Sequence, residues 1–161
     1  MHFDVDKTED RTNWCQSVTG VVIRDGKVLL ARHTYGSGKG KLIIPGGYVQ
    51  KGEYPWEALK REFWEETRIV IEPRQIIGIR FNQADWYVAF LADYISGEAT
   101  SDQDENDEVV WIDVKEALCR EDVPDLTKQL IRCAKSGGTF TPIPYEGSTR
   151  NGKGYLYGAA E

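Results

Sequence analysis

The chain has 161 residues, of which 40% are apolar and 29% charged, and its net charge is −6. This length suits one domain with a single hydrophobic core, and the acidic balance disfavours duplex nucleic acid as a partner. No apolar run is long enough to cross a bilayer, and the polar, acidic start is unlike a signal or transit peptide. We therefore expect no membrane partner and a cytoplasmic location. The three scattered cysteines exclude a complete set of disulfides and a structural zinc site.

The first part of the chain predicts a hairpin. After a polar N-terminal arm at residues 1–16, the β-branched residues at 17–24 predict a strand. The turn signal Asp25-Gly26 then joins this strand to a returning strand at 27–33. A Gly/Lys-rich loop and a short apolar run lead on to the breaker Pro45-Gly46-Gly47.

Helices and strands alternate in the rest of the chain. Pro55 suits the first position of a helix that extends to about Arg68. The patterning then predicts, in chain order, strands at 75–82, 86–94 and 108–112, and helices at 114–120 and 124–136. This order predicts an α+β fold, with a mixed β-sheet between helices, for a domain at 17–136. The Gly-, Pro- and Tyr-rich tail at 137–161 is expected to be an ordered strap or a contact with a second copy in a homodimer.

One face of the predicted helix at Pro55–Arg68 carries three carboxylates. Glu62, Glu65 and Glu66 stand at i, i+3 and i+4, within an arc of about 100°. The neighbouring apolar stripe consists of Trp56, Leu59, Phe63 and Val70. Like charges at this spacing destabilise a helix, so we expect a cation that offsets them. Mg²⁺ suits the site because it takes carboxylate oxygens and still leaves room for substrate phosphates.

Two further features support a metal site. Gly47 lets the backbone come close to an ion because it has no side chain. Arg61 is placed to form a forked ion pair with Glu53, which would fix the preceding loop to the helix.

This stretch resembles the Nudix box, G-x5-E-x7-R-E-U-x-E-E-x-G-U, where U is a bulky apolar residue. The matching residues are Gly47, Glu53, Arg61, Glu62, Phe63, Glu65, Glu66 and Ile69. Six of these positions, the glycine, the arginine and the four glutamates, require one residue type. With a probability of roughly one in fifteen at each, a chance match occurs about once in ten million windows. The resemblance covers roughly residues 17–135 and implies the Nudix α/β/α sandwich. It also implies Mg²⁺-dependent hydrolysis, with Mn²⁺ as a substitute, of a nucleoside diphosphate linked to another moiety.

The resemblance also implies roles for the residues of the box. Glu62, Glu65, Glu66 and the Gly47 carbonyl would hold the metal, and a water would attack phosphorus in line. The general base would be a glutamate of the box or of a later loop, and the candidates are Glu62, Glu105 and Glu108. The catalytic set is therefore Glu53, Arg61, Glu62, Glu66 and Glu105.

One position departs from the box. Arg68 stands where the family has a glycine, which usually forms a left-handed cap at the helix end. Either Arg68 therefore adopts the strained left-handed conformation, or the chain continues from the end of the helix in a different direction. We expect a changed geometry after the helix and retained chemistry, because Arg68 is not a metal ligand.

Residues 102–113 imitate a calcium-binding EF-hand loop, but Asp107 replaces the required glycine and Asp113 the final glutamate. We therefore interpret this run as an exposed acidic loop that overhangs the metal site. Arg32 and His33 alternate along a strand, so one of them should face the cleft. The residues predicted to bind substrate are Arg32, Tyr35, Lys41, Arg80 and Trp86.

The substrate is only partly specified. The segment 75–113 is similar to the Nudix portion of NADH pyrophosphatases, although FNQADW replaces their SQPWPFP-type array. The favoured substrate is ADP-ribose-like or a dinucleotide, and the alternative enzyme is a nucleoside triphosphate pyrophosphohydrolase. A non-catalytic, nucleotide-sensing Nudix module is the alternative from another class, and such modules usually lose the carboxylates that this chain keeps.

Overall fold

The structure is a computed structural model, and it describes residues 15–149 and 152–160. In chain order its elements are β1 (Cys15–Arg24), β2 (Lys27–His33), β3 (Leu42–Ile43), β4 (Gly46–Tyr48), α1 (Pro55–Thr67), β5 (Val70–Phe81), β6 (Asp85–Ser96), β7 (Asn106–Asp113), α2 (Val114–Ala117), α3 (Asp125–Lys135), β8 (Thr139–Ile143) and β9 (Tyr155–Ala160). The strand predicted at 75–82 is therefore the second part of a longer β5. The helix predicted at 114–120 ends early, at Ala117.

The strands form one mixed sheet. Its order is β3-β2-β1-β6-β5-β9-β8, with β4 also paired to β1 and β7 also paired to β2. β1 and β6 run parallel, from the pair Cys15 and Asp85 to the pair Val22 and Ala92, whereas β5 and β6 are antiparallel. The mixed sheet between helices that the sequence predicts is confirmed.

Helix α1 packs against one face of this sheet. Leu59 and Phe63 are fully buried there, and Gly20 of β1 makes room for them, since a Cβ on Gly20 would lie 3.1 Å from each side chain. The predicted apolar stripe was too wide, because Trp56 and Val70 at its ends are exposed. Trp56 instead stacks on Tyr54 just before the helix, with ring centroids 4.9 Å apart.

Helices α2 and α3 cover the other face. Leu130, Ile131 and Cys133 of α3 are buried against Val21 of β1 and Leu156 of β9. The result is a layer of helices on each side of the sheet, as in the α/β/α sandwich that the resemblance implies. Within residues 15–149 and 152–160, no helix is long and apolar enough to span a membrane.

The segments that flank the predicted domain, the arm and the tail, both contribute residues to the sheet. Cys15 and Gln16, predicted as part of the arm, belong to β1, and the rest of the arm, residues 1–14, lies outside the described residues. The tail forms a hairpin, β8–β9, that adds to the edge of β5. Gly158 of this hairpin passes close to α3, since a Cβ there would lie 2.7 Å from the Cys133 sulfur. The predicted strap is therefore a part of the sheet.

Candidate active site

Three carboxylates from two distant parts of the chain meet beside β4. Glu62 and Glu66 lie one turn apart on α1, and Glu105 lies on the loop before β7. One oxygen from each lies within 4.8 Å of the other two. Asn106 fixes this loop to the last turn of α1, because its buried side-chain amide donates to the Glu66 carbonyl at 2.9 Å. Glu62, Glu66 and Glu105 are called the acidic cluster below.

Two glycines allow the backbone to pass next to the acidic cluster. A Cβ on Gly47 would lie only 2.3–2.7 Å from the carboxylate atoms of Glu62, and a Cβ on Gly46 would lie 2.0 Å from the Val18 carbonyl oxygen. The Gly46 N–H also donates to the Glu66 carboxylate. A side chain at Gly47 would displace the Glu62 carboxylate, and a side chain at Gly46 would displace β4 from its partner strand β1.

Without a bound cation, the charged forms of the three carboxyl groups in the acidic cluster are unfavourable. Burial raises the pKa of Glu66 to about 9, and the charges of Glu62 and Glu105 act in the same direction. Burial is also the main reason why the pKa values of Glu62 and Glu105 lie above their usual range. The three groups therefore do not all ionise together at neutral pH. A divalent cation would offset their charge, and an all-oxygen donor set suits Mg²⁺ or Mn²⁺.

Arg61 ties the loop before α1 to the acidic cluster. Its Nε and Nη2 donate to the two carboxylate oxygens of Glu53 at 2.8 and 3.0 Å, which is the predicted fork. Its Nη1 donates to Glu62 at 2.8 Å, and Nη2 also donates to the Tyr48 carbonyl at 3.0 Å. One guanidinium thus orients a cluster carboxylate and the loop before the helix together.

Glu65 is placed differently from the other two helix carboxylates. The sequence grouped it with Glu62 and Glu66 as a metal ligand, but its half-exposed side chain pairs with Arg61 at 3.1 Å. Glu105 is the third member of the group instead. Arg61 lies one turn before Glu65, and its Nη1 donates to both Glu62 and Glu65. The metal-binding role of Glu65 stays a prediction.

Arg68 occupies the helix end in the conformation that glycine favours. Its φ and ψ are 60° and 22°, and its N–H donates to the Trp64 carbonyl at 3.1 Å. The guanidinium lies over the Trp64 ring, 5.2 Å from the centroid. The expected change in geometry is therefore absent, because Arg68 accepts the left-handed conformation and its strain. Glu62 and Glu66 remain together on the helix upstream of it.

Tyr35 is the predicted substrate-binding residue that the structure places next to the acidic cluster. Burial raises the pKa of its phenol, and the charges of Glu105, Glu66 and Glu62 raise it further. Its ring stacks on His33, with centroids 5.8 Å apart. Of the alternating pair Arg32 and His33, it is therefore His33 that lies on this side of β2.

The two arginines that were predicted to bind substrate both form ion pairs with carboxylates of the protein. Arg32 pairs with Glu108 at 3.0 Å and with Asp122 at 3.2 Å, and Arg80 pairs with Asp85 at 2.6 Å. Both guanidiniums have carboxylate partners within the protein, and their contact with substrate stays a prediction. Glu108, one of the candidate bases, lies in the Arg32 pair and not in the acidic cluster.

The other two predicted contacts lie on exposed surface. Lys41 is exposed in the turn before β3, and Trp86 of β6 is half-exposed with its ring edge-on to Phe81 at 5.0 Å. Their contact with substrate stays a prediction. Two residues that the sequence reasoning missed are Asn106 and Tyr48. Both directly follow residues that were singled out, Glu105 and Gly47, and this adjacency was the available signal.

Comparisons with known proteins agree with this geometry. The family model described as NUDIX domain matches residues 15–133. The chain is 30% identical to an ADP-ribose pyrophosphatase of Methanocaldococcus jannaschii, over 55% of this chain and 56% of that protein. It is 34% identical to the NAD-capped RNA hydrolase NudC of Haemophilus influenzae, over 65% of this chain and 41% of that protein. The matches thus span about half the length of these relatives. The crystal structure of a MutT protein from Methanosarcina mazei superposes with a TM-score of 0.64 at 26% identity, over 76% of this chain and 93% of that one.

Proposed function

The chain belongs to the Nudix family, and we propose that it uses a divalent cation to hydrolyse the pyrophosphate bond of a nucleoside diphosphate linked to another moiety. One observation carries the proposal, which is that oxygens of Glu62, Glu66 and Glu105 lie within 4.8 Å of one another although Glu66 is only 5% exposed. Relatives named ADP-ribose pyrophosphatase and NAD-capped RNA hydrolase favour an ADP-ribose-like or dinucleotide substrate.

Glu62 and Glu66 would hold the cation, with Glu105 beside them in the acidic cluster. When bound there, Mg²⁺ or Mn²⁺ supplies positive charge against the diphosphate and lowers the pKa of a water molecule. Glu66 is buried and is oriented by the Gly46 N–H, so it would be the most rigidly held of the cation ligands. Glu62 is oriented by Arg61, and outer partners of this kind are typically worth about 10- to 100-fold in metal affinity or activity.

We assign the general base to Glu105. Its side chain is exposed at the rim of the acidic cluster, so a water can reach it, whereas Glu62 is held by Arg61 and Glu108 by Arg32. Burial, Asp102 and Asp104 raise the pKa of Glu105 above its usual value. A carboxylate whose pKa lies nearer to neutral accepts a proton more effectively at neutral pH.

The test is a substrate panel with a matched pair of variants. ADP-ribose, NADH, diadenosine polyphosphates, nucleotide sugars and (d)NTPs would be incubated with Mg²⁺ or Mn²⁺, and the products identified. We expect AMP or another nucleoside monophosphate from an ADP-ribose-like substrate or a dinucleotide, and a loss of about 10³-fold in kcat for Glu66→Gln. Glu116→Gln, on exposed α2, should retain full activity.

The alternatives would show themselves in the same panel. Release of inorganic pyrophosphate from (d)NTPs as the best reaction would assign the chain to the triphosphate pyrophosphohydrolases. Nucleotide binding without any metal-dependent turnover would identify a sensing module. A Glu66→Gln enzyme as active as the wild type would show that the acidic cluster is not the reaction centre.

A further inference from the structure

The loop that carries Glu105 is attached to the same helix that carries the other two members of the acidic cluster. The last four carbonyls of a helix have no donor within the helix, and two of these carbonyls in α1 accept from this loop. The Glu66 carbonyl accepts from the Asn106 side-chain amide at 2.9 Å, and the Thr67 carbonyl accepts from the Thr100 N–H at 2.9 Å. The last turn of α1 therefore holds the loop at both of these residues.

Other hydrogen bonds give the loop its shape next to Glu105. The Asp102 carboxylate accepts from the backbone N–H of Asp104 at 2.9 Å and from that of Asn106 at 3.1 Å. The Thr34 N–H donates to the Glu105 carbonyl at 3.1 Å, which joins the loop to the segment after β2. The Asn106 side chain adds the link from this end of the loop to α1.

The Asn106 side chain is poorly explained by stability alone. It is only 1% exposed, and its Oδ1 accepts from no group within residues 15–149 and 152–160. A buried polar atom without a protein partner costs free energy, and asparagine is also disfavoured in strands such as β7. The donor of this amide is satisfied by the Glu66 carbonyl, so we look for its role in the donor.

We propose that Asn106 is a positioning residue, which holds its neighbour Glu105 at the distance from the other two members of the acidic cluster where Glu105 takes the proton of the attacking water. The inference rests on the proposed function, in which Glu105 is the general base. The Glu105 side chain is exposed, so its position depends on how its backbone is held. Misplacing a reacting group by about 1 Å costs on the order of 10²-fold in rate.

The test is a double-mutant cycle on kcat, measured with Mg²⁺ and ADP-ribose or whichever compound of the substrate panel is hydrolysed fastest. Asn106→Asp keeps the shape of the side chain but replaces the donor with an acceptor, and it should lower kcat by about 10²-fold. Glu105→Gln alone should lower kcat by about 10²-fold or more. Asn106→Asp should have almost no further effect in the Glu105→Gln enzyme, because the base that Asn106 positions is already lost. KM should change little in all three enzymes.

Two further measurements do not depend on turnover. Titration with Mn²⁺ should give the wild-type affinity in Asn106→Ala, because Glu62 and Glu66 keep their places on α1. Hydrogen exchange of the metal-free protein should be faster over residues 100–105 in both Asn106→Ala and Asn106→Asp, and unchanged in α3. The alanine variant also separates the loss of the donor from the charge that aspartate adds.

Gln129→Glu on α3 is the matched control. It makes the same change from an amide to a carboxyl group, and the Gln129 amide also donates to a neighbour, Asp125, at 3.3 Å. Because α3 covers the other face of the sheet, this variant should keep the wild-type kcat and the wild-type exchange over residues 100–105.

Several results would overturn the inference. It is wrong if either Asn106 variant keeps the wild-type kcat, or if exchange over residues 100–105 is unchanged in both. It is also wrong if the losses from Asn106→Asp and Glu105→Gln multiply, since Asn106 would then act on another part of the protein. A wild type that hydrolyses nothing would refute the proposed function together with this inference, whereas an active wild type with fully active Asn106 variants would refute this inference alone.

Discussion

The acidic cluster and a second group of charged side chains differ in how neighbouring groups balance the negative charge of their carboxylates. The second group, called here the paired network, consists of Arg32, Glu108, Glu116, Arg120 and Asp122. Asp122 accepts from Arg120 at 2.8 Å and from Arg32 at 3.2 Å, and these guanidiniums hold the pKa of Asp122 far below its usual value. Glu66 faces two carboxylates instead, and its pKa rises to about 9.

The contrast separates a structural ion network from a reactive site. In the paired network each charge has an opposite partner within the chain, so the group needs nothing from solution. In the acidic cluster, folding brings carboxylates together at a cost in free energy, and a bound cation would offset that cost. Perturbed carboxylates of this second kind concentrate at functional sites. The predictions below test this contrast, from the largest expected effect to the smallest.

Arg61 borders the acidic cluster, and among the changes considered below its removal should have the largest effect. Arg61→Ala is expected to lower kcat/KM by about 10- to 100-fold, because Glu53, Glu62 and the Tyr48 carbonyl lose their common donor. Arg61→Lys keeps the charge but cannot form the fork, so it should lose most of the activity as well. Steady-state kinetics and Mn²⁺ titration would measure both. Full activity in the lysine variant would mean that charge alone suffices.

Neutralising one carboxylate in each group should change stability in opposite directions. Glu66→Gln, measured without metal at pH 7, should raise the free energy of unfolding by roughly 2 kcal/mol, because a buried acid with a raised pKa opposes folding at that pH. Asp122→Asn should lower it by about 1–2 kcal/mol, since charge-assisted hydrogen bonds to Arg120 and Arg32 are lost from a partly exposed site. Denaturant unfolding in EDTA would measure both changes. The same sign for the two variants would contradict the contrast.

The two groups should also respond at opposite ends of the pH range. The folded pKa of Glu66 is raised from the usual 4.5 to about 9, so its favourable contribution is full below pH 4.5 and declines as the pH rises to about 9. The melting temperature of the metal-free protein should therefore fall between pH 6 and pH 9, by about 2–4 °C for each kcal/mol of stability lost. This slope should be smaller in Glu66→Gln.

Asp122 has the reverse dependence. Its folded pKa is lowered, so its contribution is present above the usual value and declines only as the pH falls through the folded value. Asp122→Asn should thus leave the alkaline slope unchanged. An alkaline slope that is equal in the wild type and in Glu66→Gln would show that Glu66 is not the group that titrates.

The smallest effect is expected at the end of α1. Arg68→Gly should stabilise the protein by about 1 kcal/mol, because glycine adopts the left-handed conformation without the penalty that a side chain brings. Arg68→Ala is the control, since it retains the strain and also loses the contact with the Trp64 ring. Thermal melts of the two variants would show glycine above alanine, and kcat should be unchanged in both. Equal melting temperatures would mean that the conformation is not strained.

The sequence predicted best what depends on neighbouring residues. Helix α1 begins at Pro55 as predicted and ends within one residue of the predicted boundary. The Glu53–Arg61 fork was predictable because eight positions along the chain bring these residues together at the start of the helix. Glu105 was already a candidate base, since the resemblance to the Nudix family implies a glutamate of the box or of a later loop in that role.

What the sequence did not predict depends on contacts between distant segments. Arg32 was expected at the substrate, but it pairs with Asp122, 90 positions further along the chain, and no local pattern announces such a partner. The strand pattern also does not say that β1 and β6 lie side by side in parallel. The meeting of Glu105 with Glu62 and Glu66 was not predicted for the same reason, because it depends on where the loop before β7 meets α1.

The hairpin at the end of the chain has a practical consequence for truncated forms of the protein. The family match ends at residue 133, but β9 covers the edge of β5 from Gly78 to Phe81 and buries Leu156 in the core. Cutting the chain at the end of the match would leave a bare strand edge, which is a template for aggregation. In the intact sheet the outer strand on that side is β8, where Pro142 has no N–H to offer an incoming strand. The soluble unit should therefore include residues well beyond the family boundary.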